Sequence, residues 1–164
     1  MKIRKRNVFP LPYPARVVIL LIYLIILSYF LFFSESFGRT GQDHIFAVNL
    51  VPFKEISRCF VYYSSLPRGF LFVNIVGNII AFIPFGFLFA SLLSYRKGVP
   101  WLLTIALSAL LSTVVELIQL VTRKGSCDVD DIILNTMGGA LGYIIFYIIF
   151  VRKEKIRCCH NKGK

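Results

Sequence analysis

Long apolar runs alternate with short charged segments along the chain, and this pattern predicts its elements. The four runs occupy residues 15–33, 70–93, 101–121 and 132–151. A helix needs about 20 apolar residues to cross a hydrocarbon core of about 30 Å. Because the runs lack the alternation typical of barrel strands, the sequence predicts an all-α integral membrane protein with four transmembrane helices in a compact bundle. The first run reaches its length only with Arg16, whose long side chain can extend to lipid headgroups.

The charged residues lie between these runs. The chain is 57% hydrophobic and 16% charged, with a net charge of +11. A basic stripe for nucleic acid is therefore not expected, and the bilayer is the predicted partner. Of the 19 lysines and arginines, 13 lie in residues 1–16, 94–100 and 152–164. By the positive-inside rule both termini are cytoplasmic, so the basic segments 1–14 and 152–164 flank a membrane domain of residues 15–151 and face anionic lipids.

The connection between the first two spans, residues 34–69, is the longest segment outside the predicted helices. It contains a semi-apolar stretch, residues 45–56, in which Pro52 interrupts a regular helix. We expect a short interfacial or re-entrant segment that lies against the bundle rather than a fifth span. Residues 34–38 offer no small-residue cleavage site, so we expect the first helix to be retained.

Polar side chains within and beside the spans converge at the outer level of the membrane. Polar groups inside a bilayer are costly, so such a convergence indicates a functional site. With the orientation above, the inner half of the bundle carries only hydroxyls and small residues. The candidate site residues are Asn74, Asn78, Glu116, Gln119, Arg123, Asp128, Asp130, Asp131 and Asn135.

Each of these residues also has a structural interpretation. The acids before the fourth run can cap its helix, Glu116 and Arg123 can form an ion pair, and Asn78 and Gln119 can hydrogen-bond between helices. Pro84 is expected to kink the second span and free a carbonyl. Five glycines are expected to be close-packing positions: Gly77, Gly86, Gly138, Gly139 and Gly142.

The acids allow two kinds of site chemistry. Oxygen ligands suit a hard cation, although the spacing DxDD matches no EF-hand loop, so we expect no metal and no cofactor. Alternatively, Arg123 binds a polar head group while Glu116 or Asp131 acts as a base. Motifs such as GxSxG, HExxH and the P-loop are absent from the sequence. Cys59 and Cys127 can pair only in an oxidising compartment.

Four blocks of this sequence together resemble the VanZ-like family. They are NLVPFKEI at 49–56, NIVGNIIAFIPFGFL at 74–88, ExxQ at 116–119 followed by Arg123, and DVDDIILNTMGGALGY at 128–143. The resemblance implies a small multi-pass protein of a bacterial cell membrane, related to one associated with resistance to the glycopeptide teicoplanin. Its family-like polar positions are Asn78, Glu116, Gln119, Arg123, Asp128, Asp130, Asp131 and Asn135.

Three classes of function fit these observations. The favoured hypothesis is a non-enzymatic protein that binds or shields a lipid-linked wall precursor or a lipoglycopeptide at the outer leaflet, and so contributes to glycopeptide resistance or envelope physiology. The alternative is an enzyme that modifies a lipid-linked or surface substrate, with Glu116 or an aspartate as general base. A transporter fits less well, because alternating access needs polar groups through the full depth of the membrane.

Overall fold

The structure, a computed structural model of the chain, describes residues 9–33, 48–61, 68–93, 100–122 and 127–152. The basic segments 1–8 and 153–164 lie outside these ranges. The helices are α1 (Tyr13–Phe33), α2 (Lys54–Val61), α3 (Arg68–Leu93), α4 (Pro100–Thr122) and α5 (Val129–Phe146), which continues as the π-helical segment Tyr147–Arg152. The strands are β1 (Val48–Asn49) and β2 (Cys127–Asp128).

Four helices are long and apolar enough to cross a membrane, which confirms the predicted fold class. They are α1, α3, α4, and α5 together with its π-helical segment. The start of α5 differs from the prediction that this helix follows all three acids. It begins at Val129, because Asp128 is its N-cap and Asp130 and Asp131 lie in its first turn. Carboxylates there are favourable, since they face the free N–H groups and the positive end of the helix dipole.

The most extensive helix contact joins α3 and α5, and glycines make it possible. A Cβ atom on Gly138 or Gly142 would overlap a backbone oxygen of α3, and one on Gly86 would overlap the backbone of Gly139. These two helices therefore approach backbone to backbone, as the GxxxG spacing predicts. The same prediction is wrong for Gly77, where an added Cβ atom would meet no atom of the described residues within 4 Å.

The proline in α3 lies beside a hydrogen bond from α1. Pro84 has no N–H to donate and disturbs the preceding turn of the helix. The Tyr23 hydroxyl donates to the Ala81 carbonyl in that turn. The N–H that Pro84 lacks would have bonded to the Ile80 carbonyl, so the Tyr23 bond lies one residue from the freed carbonyl and ties α1 to this turn.

The end of the bundle that is formed by the start of α1 and the end of α3 carries a buried arginine. Arg16 is 0% exposed and donates from Nη1 to the Ser91 carbonyl at 2.5 Å. Its guanidinium lies 5.8 Å from the ring centres of both Phe9 and Tyr13. The expectation that this side chain extends to lipid headgroups is therefore wrong, because aromatic rings and a carbonyl enclose the cation within the protein.

At the opposite end, the segment before α2 lies against the start of α5. Strand β1 pairs in parallel with β2, with Val48 opposite Cys127 and Asn49 opposite Asp128. Helix α2 begins at Lys54, directly after the turn that contains Pro52. The pairing fixes this part of the first connection on the bundle.

Candidate functional site

Seven of the nine polar side chains singled out in the sequence lie where α4 ends and α5 begins, together with Asn49. We call this group the polar cluster. Six of its members are buried and two, Asn78 and Asp131, are half-buried. Its members are Asn49, Asn78, Glu116, Gln119, Asp128, Asp130, Asp131 and Asn135.

Asp128 is the junction between three elements. Its Oδ1 accepts from the backbone N–H of Asp130 at 2.8 Å, which caps α5, and from Nδ2 of Asn49 at 3.0 Å, which holds β1. Its own N–H donates to Oε2 of Glu116 on α4 at 2.9 Å. The predicted capping role is confirmed for Asp128, and the buried Glu116 carboxylate gains a backbone donor that offsets part of its cost of burial.

Asp130 holds the turn before α2. Its Oδ1 accepts from the N–H of Phe53 at 2.5 Å and its Oδ2 accepts from the N–H of Ile56 at 3.3 Å. One side chain of α5 thereby caps the N-terminus of another helix, where orphan N–H groups need acceptors. The Asp130 side chain is 1% exposed, so its carboxylate supports the structure and is not open to a ligand.

Asp131 has a different neighbour. Its Oδ1 accepts from Nδ2 of Asn78 at 2.5 Å, which joins α5 to α3 by a side-chain hydrogen bond. Both residues are half-buried. Of the three aspartates in the DxDD block, Asp131 is the one whose side chain is partly open.

Asn135 lies one turn deeper along α5, within the contact with α4. Its Nδ2 donates to Oγ of Ser112 at 2.9 Å, while its Oδ1 is buried and has no hydrogen-bond partner in the part of the chain that the structure describes. Ser108 and Thr104 continue the buried hydroxyls along the same face of α4. Their hydroxyls donate to carbonyls of their own helix, so this face contains polar groups well below the cluster.

The remaining candidates are placed as follows. Gln119 is buried on α4, three residues after Glu116 and on the same face. The backbone of Asn74 belongs to α3, but its side chain lies outside the described part of the structure, as does Arg123 altogether. The predicted stripe of Glu116, Gln119 and Arg123 is thus seen only for its first two members.

Cys127 lies in β2 beside two carboxylates. Burial raises the pKa of its thiol, and the negative charges of Glu116 and Asp128 raise this pKa further. A thiol in such surroundings stays protonated and is a poor nucleophile at neutral pH. Cys127 carries a free thiol, and the side chain of Cys59, with which it can pair only in an oxidising compartment, lies outside the described residues.

The acids do not converge as metal ligands do. Within residues that the structure describes, no group of three or more His, Cys, Asp and Glu side chains could hold a metal ion. The reason is visible in Asp128 and Asp130, whose oxygens accept from N–H groups of separate segments. The carboxylates of Asp128 and Asp130 accept hydrogen bonds from neutral backbone N–H and amide groups.

Two residues of this network were not among the predicted site residues. Asn49 belongs to the motif block at 49–56, but its position in a connection gave no indication that it would reach the start of α5. Ser112 lies four residues before Glu116, and this helical spacing was the signal that could have identified it.

Comparison with known proteins identifies the family. Residues 20–150 match the family described as VanZ/LLP1. The chain belongs to the VanZ/LLP1 family. It is also 29% identical over 130 residues to the protein named Protein VanZ from Enterococcus faecium, an alignment that covers 78% of this chain and 71% of that protein. No solved structure matches it.

Hydrogen bonds bring residues of the separate motif blocks of this VanZ/LLP1 protein together. Asn49, Glu116 and Asp128 come from three separate blocks, and hydrogen bonds connect them directly. A fourth block supplies Asn78, which bonds to Asp131. The family-like positions that the structure describes therefore lie at one end of the bundle, and the bonds to Asp128 and Asp130 hold backbone segments together.

Proposed function

We propose that this VanZ/LLP1 protein is a non-enzymatic membrane protein whose polar cluster faces the outer leaflet of a bacterial cell membrane. There it binds or shields a lipid-linked wall precursor or a lipoglycopeptide, and so contributes to resistance to a glycopeptide such as teicoplanin or to envelope physiology. Both termini are cytoplasmic, and their basic residues contact anionic lipids.

The pair formed by Asn78 and Asp131 carries this proposal. It joins α3 to α5, and it is half-buried, whereas the neighbouring Asp130 is enclosed. An amide and a carboxylate at the edge of a bilayer offer both a donor and an acceptor to a polar head group. A ligand that exchanges hydrogen bonds with this pair needs no proton transfer, which favours binding over catalysis.

The orientation is supported by the excess of lysine and arginine on the other side of the spans, 13 of 19. It is tested with Lys124→Cys in a chain whose native cysteines are replaced. An impermeant thiol reagent should label this cysteine in intact cells. Labelling that requires cell lysis would reverse the assignment and place the polar cluster at the inner leaflet.

The function is tested by teicoplanin susceptibility of cells that produce the wild type or a variant, with membrane abundance measured in parallel. Wild type should raise resistance, and Asn78→Leu should lower it at equal abundance. Asp131→Asn should retain part of the resistance, because the amide keeps the shape and one acceptor oxygen. Thr136→Ala is the matched control, since this hydroxyl donates to the carbonyl of Ile132 within α5.

The enzyme alternative gives a different outcome for Glu116→Gln. A general base that becomes an amide loses its proton acceptor, so resistance should vanish while abundance stays normal. Under the binding hypothesis the amide oxygen still accepts from the Asp128 N–H, and resistance persists in part. If the wild-type protein is present at normal abundance and resistance does not rise, the proposed role in glycopeptide resistance is wrong.

A further inference from the structure

We propose that residues 50–53, here called the apolar loop, insert into the hydrocarbon boundary of the lipid leaflet nearest the polar cluster. The apolar loop lies between β1 and α2, outside the four spans. The apolar loop contacts lipid, and this contact does not depend on any ligand of the polar cluster.

The side chains of the apolar loop are unusually open. Leu50 is 69% exposed, and Val51 and Phe53 are each 59% exposed. Pro52 between them is exposed as well. Single exposed apolar residues are common on protein surfaces, but four in succession on a connection indicate a contact surface.

The backbone of the apolar loop is fixed at both ends. Oδ1 of Asn49 accepts from the N–H of Val51 at 3.3 Å, and the Asp130 carboxylate accepts from the N–H of Phe53. Phe53 has a φ of 64°, in the left-handed region that bulky residues rarely adopt. Such a conformation persists only where surrounding contacts impose it, and here the buried Asp130 does so. The apolar side chains are therefore held outward and cannot turn in without breaking these bonds.

The depth of the loop follows from Asp130. This residue is the second of α5, whose membrane-spanning stretch runs over Val129–Arg152. Because Asp130 bonds directly to the Phe53 backbone, the base of the apolar loop is level with the first turn of a span. The exposed Lys54 follows at once, and an aromatic residue beside a lysine is typical of the boundary between headgroups and hydrocarbon.

The lipid-facing surface of the bundle continues in the same direction. Exposed apolar side chains on α4 reach its last turn, where Ile118 is open and Val121 is 81% exposed. Insertion of the apolar loop extends this surface and removes Leu50 and Phe53 from water. The favourable term is the burial of apolar area, roughly 25 cal/mol for each Å².

The experiment uses tryptophan as a depth probe in the full chain. Trp101 is the single tryptophan, so Trp101→Phe gives a silent background. Phe53→Trp and, separately, Leu50→Trp are reconstituted into vesicles of phosphatidylcholine and phosphatidylglycerol that contain lipid brominated near the headgroup end or near the methyl end of the acyl chain. Both probes should lose most of their emission to the shallow bromines, lose less to the deep bromines, and resist quenching by iodide.

The matched control is Ser57→Trp in the same background. Ser57 lies on α2, and its exposed hydroxyl bonds to the Lys54 carbonyl. Iodide should quench this tryptophan and brominated lipid should not. The proposal fails if the loop probes respond to iodide as Ser57→Trp does. It also fails if they resist both quenchers, because a protein partner or a second copy then covers the loop. If Phe53→Trp does not fold, Leu50→Trp decides, since its backbone is not in the left-handed region.

Discussion

Asn49 and Asp128 lie 79 residues apart in the chain, yet Nδ2 of Asn49 donates to Oδ1 of Asp128 at 3.0 Å. This bond joins the first connection to the start of the last helix. It also uses a carboxylate that already caps α5. Asp128 therefore caps α5 and also holds β1, so its substitution should affect both elements.

The first prediction concerns this junction. Asn49→Ala removes one of the donors to Oδ1 of the buried Asp128, which still accepts from the Asp130 N–H, so the folded protein should lose about 1 kcal/mol of stability. The midpoint of thermal unfolding in detergent measures the loss. Ser57→Ala is the control, because it removes an exposed hydrogen bond and should change stability by less than about 0.5 kcal/mol. Equal effects of the two substitutions would contradict the role assigned to Asn49.

The second prediction compares glycines of the same chain. Gly142→Ala places a methyl group against the Ile83 carbonyl in α3, so α3 and α5 must separate. We expect a clear fall in the unfolding midpoint and in membrane abundance. Gly77→Ala meets no atom within 4 Å and should be neutral or stabilise α3 by up to about 1 kcal/mol. A loss of abundance for Gly77→Ala as large as that for Gly142→Ala would contradict the packing described here.

A third prediction tests the buried amide of Asn135. Ser112→Ala removes the acceptor for its Nδ2, so the amide, whose Oδ1 already lacks a partner among the described residues, loses this bond as well, at a cost of about 1–3 kcal/mol. Adding Asn135→Leu should recover much of this loss, since both polar partners are then gone. Thr113→Ala is the control because its hydroxyl bonds to Ala109 of its own helix. Additive effects of Ser112→Ala and Asn135→Leu would show that the two side chains do not interact.

The fourth prediction follows from the raised pKa of Cys127. With the other cysteines replaced, alkylation of the folded protein should begin at a higher pH than alkylation of the detergent-denatured chain, because only the thiolate reacts. Glu116→Gln removes one of the charges that raise this pKa, so the reaction of Cys127 should shift toward lower pH. Burial is the larger cause, and the shift should therefore be smaller than that caused by denaturation. Identical pH profiles for folded and denatured protein would contradict the assignment.

Much of this architecture could be predicted because the bilayer limits the choices. A continuous apolar run must form a helix in a membrane, so α1, α3, α4 and α5 follow from run length alone. The close approach of α3 and α5 was predictable from Gly138 and Gly142, since their spacing places two positions without side chains on one face.

The predictions that failed concern local competition for hydrogen bonds. Hydropathy places the start of the last helix after its acids, but the free N–H groups of its first turn attract Asp128 as a cap, and the helix begins earlier. The guanidinium of Arg16 interacts with the Phe9 ring and the Ser91 carbonyl, and therefore does not extend to the lipid headgroups as predicted. The length of an apolar run predicts neither the capping role of Asp128 nor the groups that surround Arg16.

The network around Asn49 and Asp130 could not be predicted for a further reason. Its bonds connect segments more than 70 residues apart, and no local pattern in a single sequence specifies such a pairing. The predicted proximity of Glu116 to the aspartates is seen in the bond from the Asp128 N–H to its carboxylate. The sequence pattern did not separate the roles of the aspartates. It did not distinguish Asp130, which holds a backbone turn, from Asp131, which bonds to a side chain of another helix.

The pairing of β1 with β2 also sets an order of events during synthesis. The segment that carries β1 leaves the ribosome long before β2 and the first turn of α5. The hydrogen bond from the Phe53 N–H to Asp130 therefore forms only after α5 has been synthesised. Until the last span is inserted, the left-handed turn at Phe53 lacks the carboxylate that accepts from its N–H. Translation of the final helix therefore supplies the carboxylates of Asp128 and Asp130, which hold β1 and the turn before α2 in place.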